Sequence, residues 1–153
     1  MRTDTMHATF RSATSNDIDI VVQFMREYYA YDHLPFDAAI ARAAALEMIV
    51  DERLGVIWLI CADDVAVGYA VFVFIHGLEF GGRTAWLDEF YLREGHRGQG
   101  IARMTVAFLL DECRRRGIRA LRLEVEHSNT RAQAVYEKLG FVAHARNIMT
   151  KLL

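Results

Sequence analysis

The feature that most constrains the fold is the glycine-rich stretch REGHRGQGIAR at residues 93–103. It follows AWLDEFYLR, a segment typical of a β-strand, and precedes a stretch with the apolar period of a long helix. The first turn of a helix has backbone N–H groups without partners and carries the positive end of the helix dipole. Glycines let an anion approach these groups closely. The stretch therefore predicts an α/β domain with a phosphate site at this junction.

The rest of the chain alternates helical and strand patterns. Two helices are predicted before residue 51, one beginning after TSND and the other spanning about residues 37–50. Residues 56–62 and 65–76 are β-branched and aromatic runs separated by two aspartates, a pattern typical of a hairpin. Residues 118–125 predict a strand, residues 129–140 a helix, and residues 141–153 a terminal strand or hairpin. We expect one mixed α/β domain over residues 1–153.

Composition excludes several classes of function. The chain has 153 residues and a formal net charge of -2, which gives no reason to expect binding to nucleic acid or to an acidic membrane. No apolar run reaches the ~20 residues of a membrane span, and no signal peptide is evident. Cys61 and Cys113 lack paired spacing and the histidines are scattered, so neither a disulfide nor a metal site is expected. We predict a soluble cytoplasmic protein.

Two common glycine motifs do not fit residues 93–103. A P-loop requires Lys-Ser/Thr after its last glycine, whereas Gly100 is followed by Ile-Ala. The dinucleotide fingerprint requires a third glycine where this chain has Arg103. The glycines alone therefore do not identify the phosphate-containing ligand, and the residues that follow them are needed to identify it.

The motif Arg97-x-x-Gly100-x-Ala102 resembles that of the GNAT superfamily of acyl-CoA-dependent N-acetyltransferases. The resemblance covers about 60 residues, through the helix RAQAVYEKLGF, in which Asn129 and Tyr136 match the second cofactor motif. Within the family, LDEFYLREGHRGQG is most similar to polyamine and small-amine acetyltransferases. The resemblance implies a bent and splayed mixed sheet of six to seven strands with about four helices on both faces, and a homodimer as the expected assembly.

The resemblance also implies acetyl-CoA as the acyl donor and no metal. The side chains of Arg97 and Arg103 would add charge for the phosphates, and the backbone near Tyr91 and Leu92 would pair with the pantetheine arm. The Leu92 amide would polarise the thioester carbonyl, while Asn129 would bond to pantetheine or hold the strands apart. The N–H groups expected to bind the pyrophosphate are those of Arg97, Gly98, Gln99, Gly100, Ile101, Ala102 and Arg103.

Three residues are candidates for proton transfer. Tyr136 matches the position of the tyrosine that donates a proton to the leaving sulfur, although it also fits the apolar stripe of its helix. Asp88 and Glu89 are candidate bases, with Glu89 slightly favoured. Because neighbouring strand residues point to opposite faces, we expect one of the two to face the acceptor.

The expected function is transfer of an acetyl group to the primary amine of a small molecule, by direct attack in a ternary complex. A non-catalytic acyl-CoA-binding domain and a protein lysine or N-terminal acetyltransferase remain the alternatives. The tyrosines Tyr28 and Tyr29 and the carboxylates of Asp32 and Glu79 suit a cationic amine. Tyr28 and Tyr29 also fit the core stripe of their helix. The residues expected to contact the acceptor are Tyr28, Tyr29, Asp32, Glu79 and Phe80.

Overall fold

One mixed sheet of five strands organises residues 7–153, the part of the chain that the computed structural model describes. Its strands lie side by side in chain order, antiparallel from the first to the fourth, and the fifth runs parallel to the fourth. The elements are β1 (Ala8–Ser12), α1 (Ile18–Tyr31), α2 (Ala38–Val50), β2 (Gly55–Ala62), β3 (Val65–Gly77), β4 (Gly82–Leu92), α3 (Ile101–Arg115), β5 (Leu121–Leu123) and α4 (Thr130–Lys138). Short 3-10 turns cover Ser15–Asp17, Leu78–Phe80 and Glu94–His96.

Local sequence explains several element boundaries. Asp37 caps α2, because its side chain accepts hydrogen bonds from the backbone N–H groups of Ala39 and Ile40 at 2.9 and 3.0 Å. Asp63 and Asp64 have φ angles of 48° and 63°, the left-handed conformation that a two-residue turn between antiparallel strands requires. The predicted α2 helix and the predicted β2–β3 hairpin are therefore confirmed.

Both faces of the sheet are covered by helices. On one face, α1 and α2 pack against alternate sheet residues such as Leu59 and Tyr69. On the other face, α3 packs against Ile60 and Phe72. Successive residues of β2 therefore enter different cores, which explains why the whole strand is apolar and buried. This arrangement confirms the expected mixed α/β fold.

The expected count of six to seven strands is wrong, since the described chain forms five. Residues 141–153 form no ladder with any strand among residues 7–153 and therefore make no sixth or seventh strand. β5 is also shorter than the strand predicted over residues 118–125. β5 pairs with β4 over three positions, and the last pair is Leu87 with Leu123. Within residues 7–153 no strand pairs with the other edge of β5.

A β-bulge in β4 positions the candidate site. Val71 of β3 pairs with Glu89, but the next residue, Phe72, pairs with Leu87, so Asp88 is an extra residue in the ladder. The alternation of β4 side chains between the two faces of the sheet shifts by one residue at this point. Leu87 and Phe90, three positions apart, both contact the α3 core. β4 continues to its end at residue 92, while β5 has already ended, and the two strands leave a cleft between them.

Candidate active site

A pocket of about 400 Å³ lies in the cleft between β4 and the chain that follows β5. Its other walls come from the end of α1 and the beginning of α4. The lining residues are Tyr28, Tyr31, Asp32, His33, Leu87, Asp88, Phe90, Leu123, Glu124, Val125, Glu126, Asn129, Ala132 and Tyr136. The pocket thus combines residues from four parts of the sequence at the point where the sheet opens.

The N-terminus of α3 has the features of a phosphate site. The backbone N–H groups of residues 98–103 donate to no acceptor within residues 7–153. Gly98 and Gly100 have φ angles of 75° and 83°, which side chains other than glycine rarely tolerate. A Cβ on Gly100 would meet nothing within 4 Å, so backbone conformation rather than crowding requires this glycine. These unpaired amides fit the pyrophosphate of coenzyme A.

Arginines near this terminus have different positions. The Arg97 Nε donates to the Leu92 carbonyl oxygen at 2.8 Å, and its guanidinium lies 4.5 Å from the Tyr31 ring centroid. The Arg97 side chain therefore links β4 to α1. Arg131, which the sequence pattern did not predict, has its Nη2 atom 3.8 Å from where a Cβ of Gly98 would lie. Arg131 lies in the first turn of α4, where a positive charge interacts unfavourably with the helix dipole. A cation at this position of the sequence was the signal that could have indicated an anion-binding role for Arg131.

The open edge of β4 exposes backbone groups at its end. The N–H group of Arg93 donates to the Val67 carbonyl oxygen at 3.0 Å, so these two residues form a hydrogen-bonded pair. Hydrogen-bonded and non-hydrogen-bonded pairs alternate along an antiparallel ladder. The next pair, Gly68 with Leu92, is therefore non-bonded, and the Leu92 N–H group points away from β3. The bond from Arg97 to the Leu92 oxygen agrees with this orientation.

Tyr136 and Asn129 lie on α4 beside the cleft. Burial raises the pKa of the Tyr136 hydroxyl, which therefore keeps its proton at neutral pH. The Tyr136 ring packs edge-on against Phe141, with centroids 5.6 Å apart. Asn129 caps α4 by accepting from the Ala132 N–H group at 3.1 Å, so its oxygen also has a structural partner. Both residues line the pocket.

The two candidate bases occupy different surroundings. Glu89 accepts hydrogen bonds of 2.5 Å from the hydroxyls of Tyr29 and Tyr69, one on each carboxylate oxygen. Asp88 lines the pocket and accepts no hydrogen bond from residues 7–153. Burial raises the pKa of both carboxyl groups, and the hydrogen bonds from the tyrosines oppose this at Glu89. The bulge thus assigns Glu89 to an internal network and Asp88 to the pocket.

The residues expected to contact the acceptor divide into three groups. Tyr28 and Asp32 line the pocket, whereas Tyr29 lies behind it as a donor to Glu89. Glu79 and Phe80 do not line it. They lie in the turn between β3 and β4, and Asp88 is six residues beyond the start of β4, about 20 Å at ~3.3 Å per residue. There Glu79 faces Arg146, with 3.9 Å between the charged atoms, and the Phe80 ring lies under Arg122.

The pocket lining is acidic, and two of its carboxylates, those of Glu124 and Glu126, were not predicted from the sequence pattern. Asp32, Asp88, Glu124 and Glu126 contribute carboxylates, and of the described residues that line the pocket none is lysine or arginine. Glu124 and Glu126 follow β5 at alternate positions, and this alternation was the available signal. Within residues 7–153 no cluster of His, Cys, Asp and Glu could hold a metal ion. No helix in the same part of the chain is long and apolar enough to cross a membrane.

Comparison with known families agrees with this geometry. A sequence model of the Acetyltransferase (GNAT) family matches residues 19–141. The chain belongs to this family. It is 46% identical over 46 residues to the [ribosomal protein bS18]-alanine N-acetyltransferase of Escherichia coli K12, covering 30% of this chain and 31% of the relative. It is 32% identical over 74 residues to the thialysine N-epsilon-acetyltransferase of Bos taurus, covering 48% and 43%. The matches thus span less than half of either relative.

Solved structures share the fold over nearly the whole chain. An integron cassette protein from the mobile metagenome of Cole Harbour Salt Marsh has a TM-score of 0.83 and 28% identity, covering 94% of this chain and 90% of that one. A predicted acetyltransferase of Clostridium acetobutylicum, solved with acetyl-CoA, has a TM-score of 0.78 and 19% identity, covering 95% and 96%. The aminoglycoside N-acetyltransferase AAC(6')-Iy, solved with CoA, has a TM-score of 0.80 and 18% identity, covering 99% of each chain.

Proposed function

We propose that this protein is an acetyl-CoA-dependent N-acetyltransferase whose acceptor is the primary amine of a small cationic molecule. The observation that carries this proposal is the acidic pocket, which lies beside the open end of β4. Family membership supports the donor and the reaction type. Cys61 and Cys113 are free and buried, which is typical of a reducing compartment and supports a cytoplasmic location.

The donor side of the cleft offers three kinds of contact. The unpaired N–H groups of residues 98–103 can donate hydrogen bonds to a bound anion, and the Arg131 guanidinium adds positive charge beside them. The open edge of β4 lets an extended arm pair as an added strand would. Acetyl-CoA, when bound, supplies the acetyl thioester. The outward Leu92 N–H group then stabilises the negative charge that develops on the carbonyl oxygen.

The acceptor needs to lose a proton before it attacks. An alkyl ammonium has a pKa near ~10.4, so at neutral pH the amine arrives charged. We assign the proton to Asp88, because its carboxylate faces the pocket and its pKa is raised, which makes it a better base. The neutral nitrogen then forms the C–N bond and loses its second proton to solvent, and the C–S bond breaks. Tyr136 gives its hydroxyl proton to the leaving sulfur, a role that its raised pKa and its place in the pocket support. After turnover Asp88 returns its proton to solvent and the Tyr136 hydroxyl is reprotonated from solvent.

The pocket favours an acceptor with more than one positive charge. Asp32, Glu124 and Glu126 lie around Asp88, and a second ammonium group would be attracted to any of them. The Tyr28 ring adds a face over which a cation binds favourably. The relatives named above act on two acceptor classes, a thialysine amine and a ribosomal-protein alanine. The acidic lining supports the first class.

A release assay for free CoA thiol tests this function directly. Purified protein with acetyl-CoA should turn over diamines and polyamines with a higher kcat/KM than a peptide that begins with alanine. Mass spectrometry of the product would locate the acetyl group on nitrogen. Preference for the peptide would refute the small-molecule acceptor. Saturable binding of acetyl-CoA without turnover on any amine would instead show a non-catalytic binding domain.

A further inference from the structure

A salt bridge joins α1 to Arg93, the residue that follows β4. The Glu27 carboxylate accepts hydrogen bonds from the Arg93 Nη2 atom at 2.9 Å and from the Arg93 Nε atom at 3.1 Å. The Gln23 side-chain amide donates to the first of the two carboxylate oxygens at 3.0 Å, and the Tyr91 hydroxyl donates to the second at 3.2 Å. Because each oxygen of Glu27 has two donors, the carboxylate is held in one orientation.

Arg93 is fixed to the sheet and contacts two successive turns of α1. Its backbone N–H group donates to the Val67 carbonyl oxygen at 3.0 Å, which attaches it to β3. Its guanidinium binds Glu27 and also lies 4.8 Å from the ring centroid of Phe24, three residues earlier in α1. Apolar contacts between α1 and the sheet have no preferred direction, whereas the contacts of a planar guanidinium do. Arg93 therefore fixes the rotation of α1 about its axis and its position along β4.

The residues next to this salt bridge belong to the two halves of the proposed reaction. Tyr28 follows Glu27 in α1 and lines the acceptor pocket. Leu92 precedes Arg93, and its N–H group points away from β3 towards the proposed position of the thioester. Glu27 and Arg93 themselves do not line the pocket, so neither is expected to touch the acceptor. A displacement of about 1 Å between reacting groups can lower a rate by about 10²-fold.

We propose that Glu27 and Arg93 are positioning residues for acetyl transfer, whose salt bridge sets the distance between the pocket wall that α1 forms and the open end of β4. This inference rests on the proposed function. The side chains of Arg93 and Glu27 keep 38% and 23% of their accessible surface. Salt bridges that solvent reaches contribute little to stability. Loss of the pair should therefore lower the rate of transfer much more than the stability of the fold.

Two substitutions of Arg93 separate geometry from charge. Arg93→Gln removes the charge, whereas Arg93→Lys keeps it and removes the planar fork that binds both oxygens of Glu27. Each variant should lower kcat/KM for a diamine by about tenfold or more, while the Kd of acetyl-CoA in calorimetry stays within about threefold. Wild-type kcat/KM in either variant would overturn the proposal, as would a loss of acetyl-CoA affinity equal to the loss of kcat/KM.

A double-mutant cycle tests whether the two residues act through each other. Glu27→Gln alone should lower kcat/KM to a similar extent as Arg93→Gln. The double variant should lose no more than about twofold beyond the larger single loss, because each substitution removes the same salt bridge. Single losses that multiply in the double variant would show independent roles and overturn the proposal.

The salt bridge between Arg11 and Asp17 provides a matched control. It also has two hydrogen bonds, of 2.8 and 2.7 Å, and its side chains are likewise only partly exposed. It lies at the beginning of α1, whereas the pocket is at the end of that helix. Arg11→Gln should shift the urea midpoint by a similar amount as Arg93→Gln but leave kcat/KM at the wild-type value. An equal loss of kcat/KM in Arg11→Gln would show that general loosening of α1 lowers the rate, and the proposal would be overturned.

Hydrogen exchange followed by mass spectrometry tests the position of α1 without turnover. Peptides covering residues 28–32 should exchange faster in Arg93→Gln than in the wild-type protein, and peptides from α3 should not. Unchanged exchange over residues 28–32 would overturn the proposal even if the kinetics change. A wild-type protein that turns over no amine would refute the proposed function and this inference together, whereas turnover that Arg93→Gln leaves unchanged would refute only the inference.

Discussion

Replacement of Asp88 by asparagine tests the assignment of the base with little change in shape. The Asp88 carboxylate faces the pocket and has no hydrogen-bond partner among residues 7–153, so the amide should fit the same space. Loss of a positioned base lowers rates by about 10²–10⁴-fold. We therefore expect kcat/KM for the amine to fall by a factor in this range at neutral pH. The affinity for acetyl-CoA should change little.

The pH dependence gives an independent check. The pKa of Asp88 is raised above 3.8 by burial, so activity of the native enzyme should fall as the pH decreases through that raised value. Asp88→Asn should lack this limb. A carboxyl whose pKa is higher in the folded state lowers stability as the pH rises from 3.8 to that value. Since solvent reaches this side chain, the effect is small, and we expect the variant to be at least as stable at pH 7.

Glu89→Gln is the matched control, because Glu89 adjoins Asp88 but binds Tyr29 and Tyr69 instead of facing the pocket. Steady-state kinetics with the same amine from pH 5 to 9 should show a smaller loss of kcat/KM for Glu89→Gln than for Asp88→Asn. A full wild-type rate for Asp88→Asn throughout this range, with a large loss for Glu89→Gln, would refute the reasoning and make Glu89 the base.

Three further substitutions address the donor side of the cleft. Tyr136→Phe should lower kcat by about 10²-fold or more while acetyl-CoA affinity in calorimetry stays within a few-fold, and an unchanged kcat would exclude the hydroxyl as the acid. Gly100→Ala forces a Cβ onto a residue with φ of 83°, so it should destabilise the fold by roughly 1 kcal/mol in urea unfolding and weaken CoA binding. Arg131→Gln should weaken CoA binding by about tenfold at low salt, with a smaller effect on the binding of pantetheine, which lacks the pyrophosphate; equal affinities in titration would contradict the position assigned to its guanidinium.

The backbone geometry of the proposed phosphate site could be predicted from sequence because its determinants are local. Gly98 and Gly100 adopt left-handed backbone within a few residues of each other, and the helix that follows provides the amides. Such a motif needs no information about distant strands. The α2 cap at Asp37 and the turn at residues 63–64 were predictable for the same reason.

The division between Asp88 and Glu89 could not be predicted, because it depends on pairing with a distant strand. An uninterrupted strand would alternate strictly, but the register of β3 against β4 inserts one residue at this point. The position of Arg131 depends likewise on how the beginning of α4 meets the beginning of α3. Glu79 and Phe80, which the sequence placed near the acceptor, do not line this pocket, because the length of β4 separates their turn from the cleft.

The tyrosine network around Glu89 explains why the bulge can place a carboxylate in the pocket. Tyr29 comes from α1 and Tyr69 from β3, and together they occupy both oxygens of Glu89 on the α1 side of the sheet. Glu89 keeps its partner in the ladder, whereas Asp88 is the one residue of β4 without a ladder partner between two that have them. Adjacent acidic residues thus have different tasks. Glu89 links β4 to α1 and β3 through the two tyrosines, whereas Asp88 lines the pocket without an internal partner, which is why we propose Asp88 as the base.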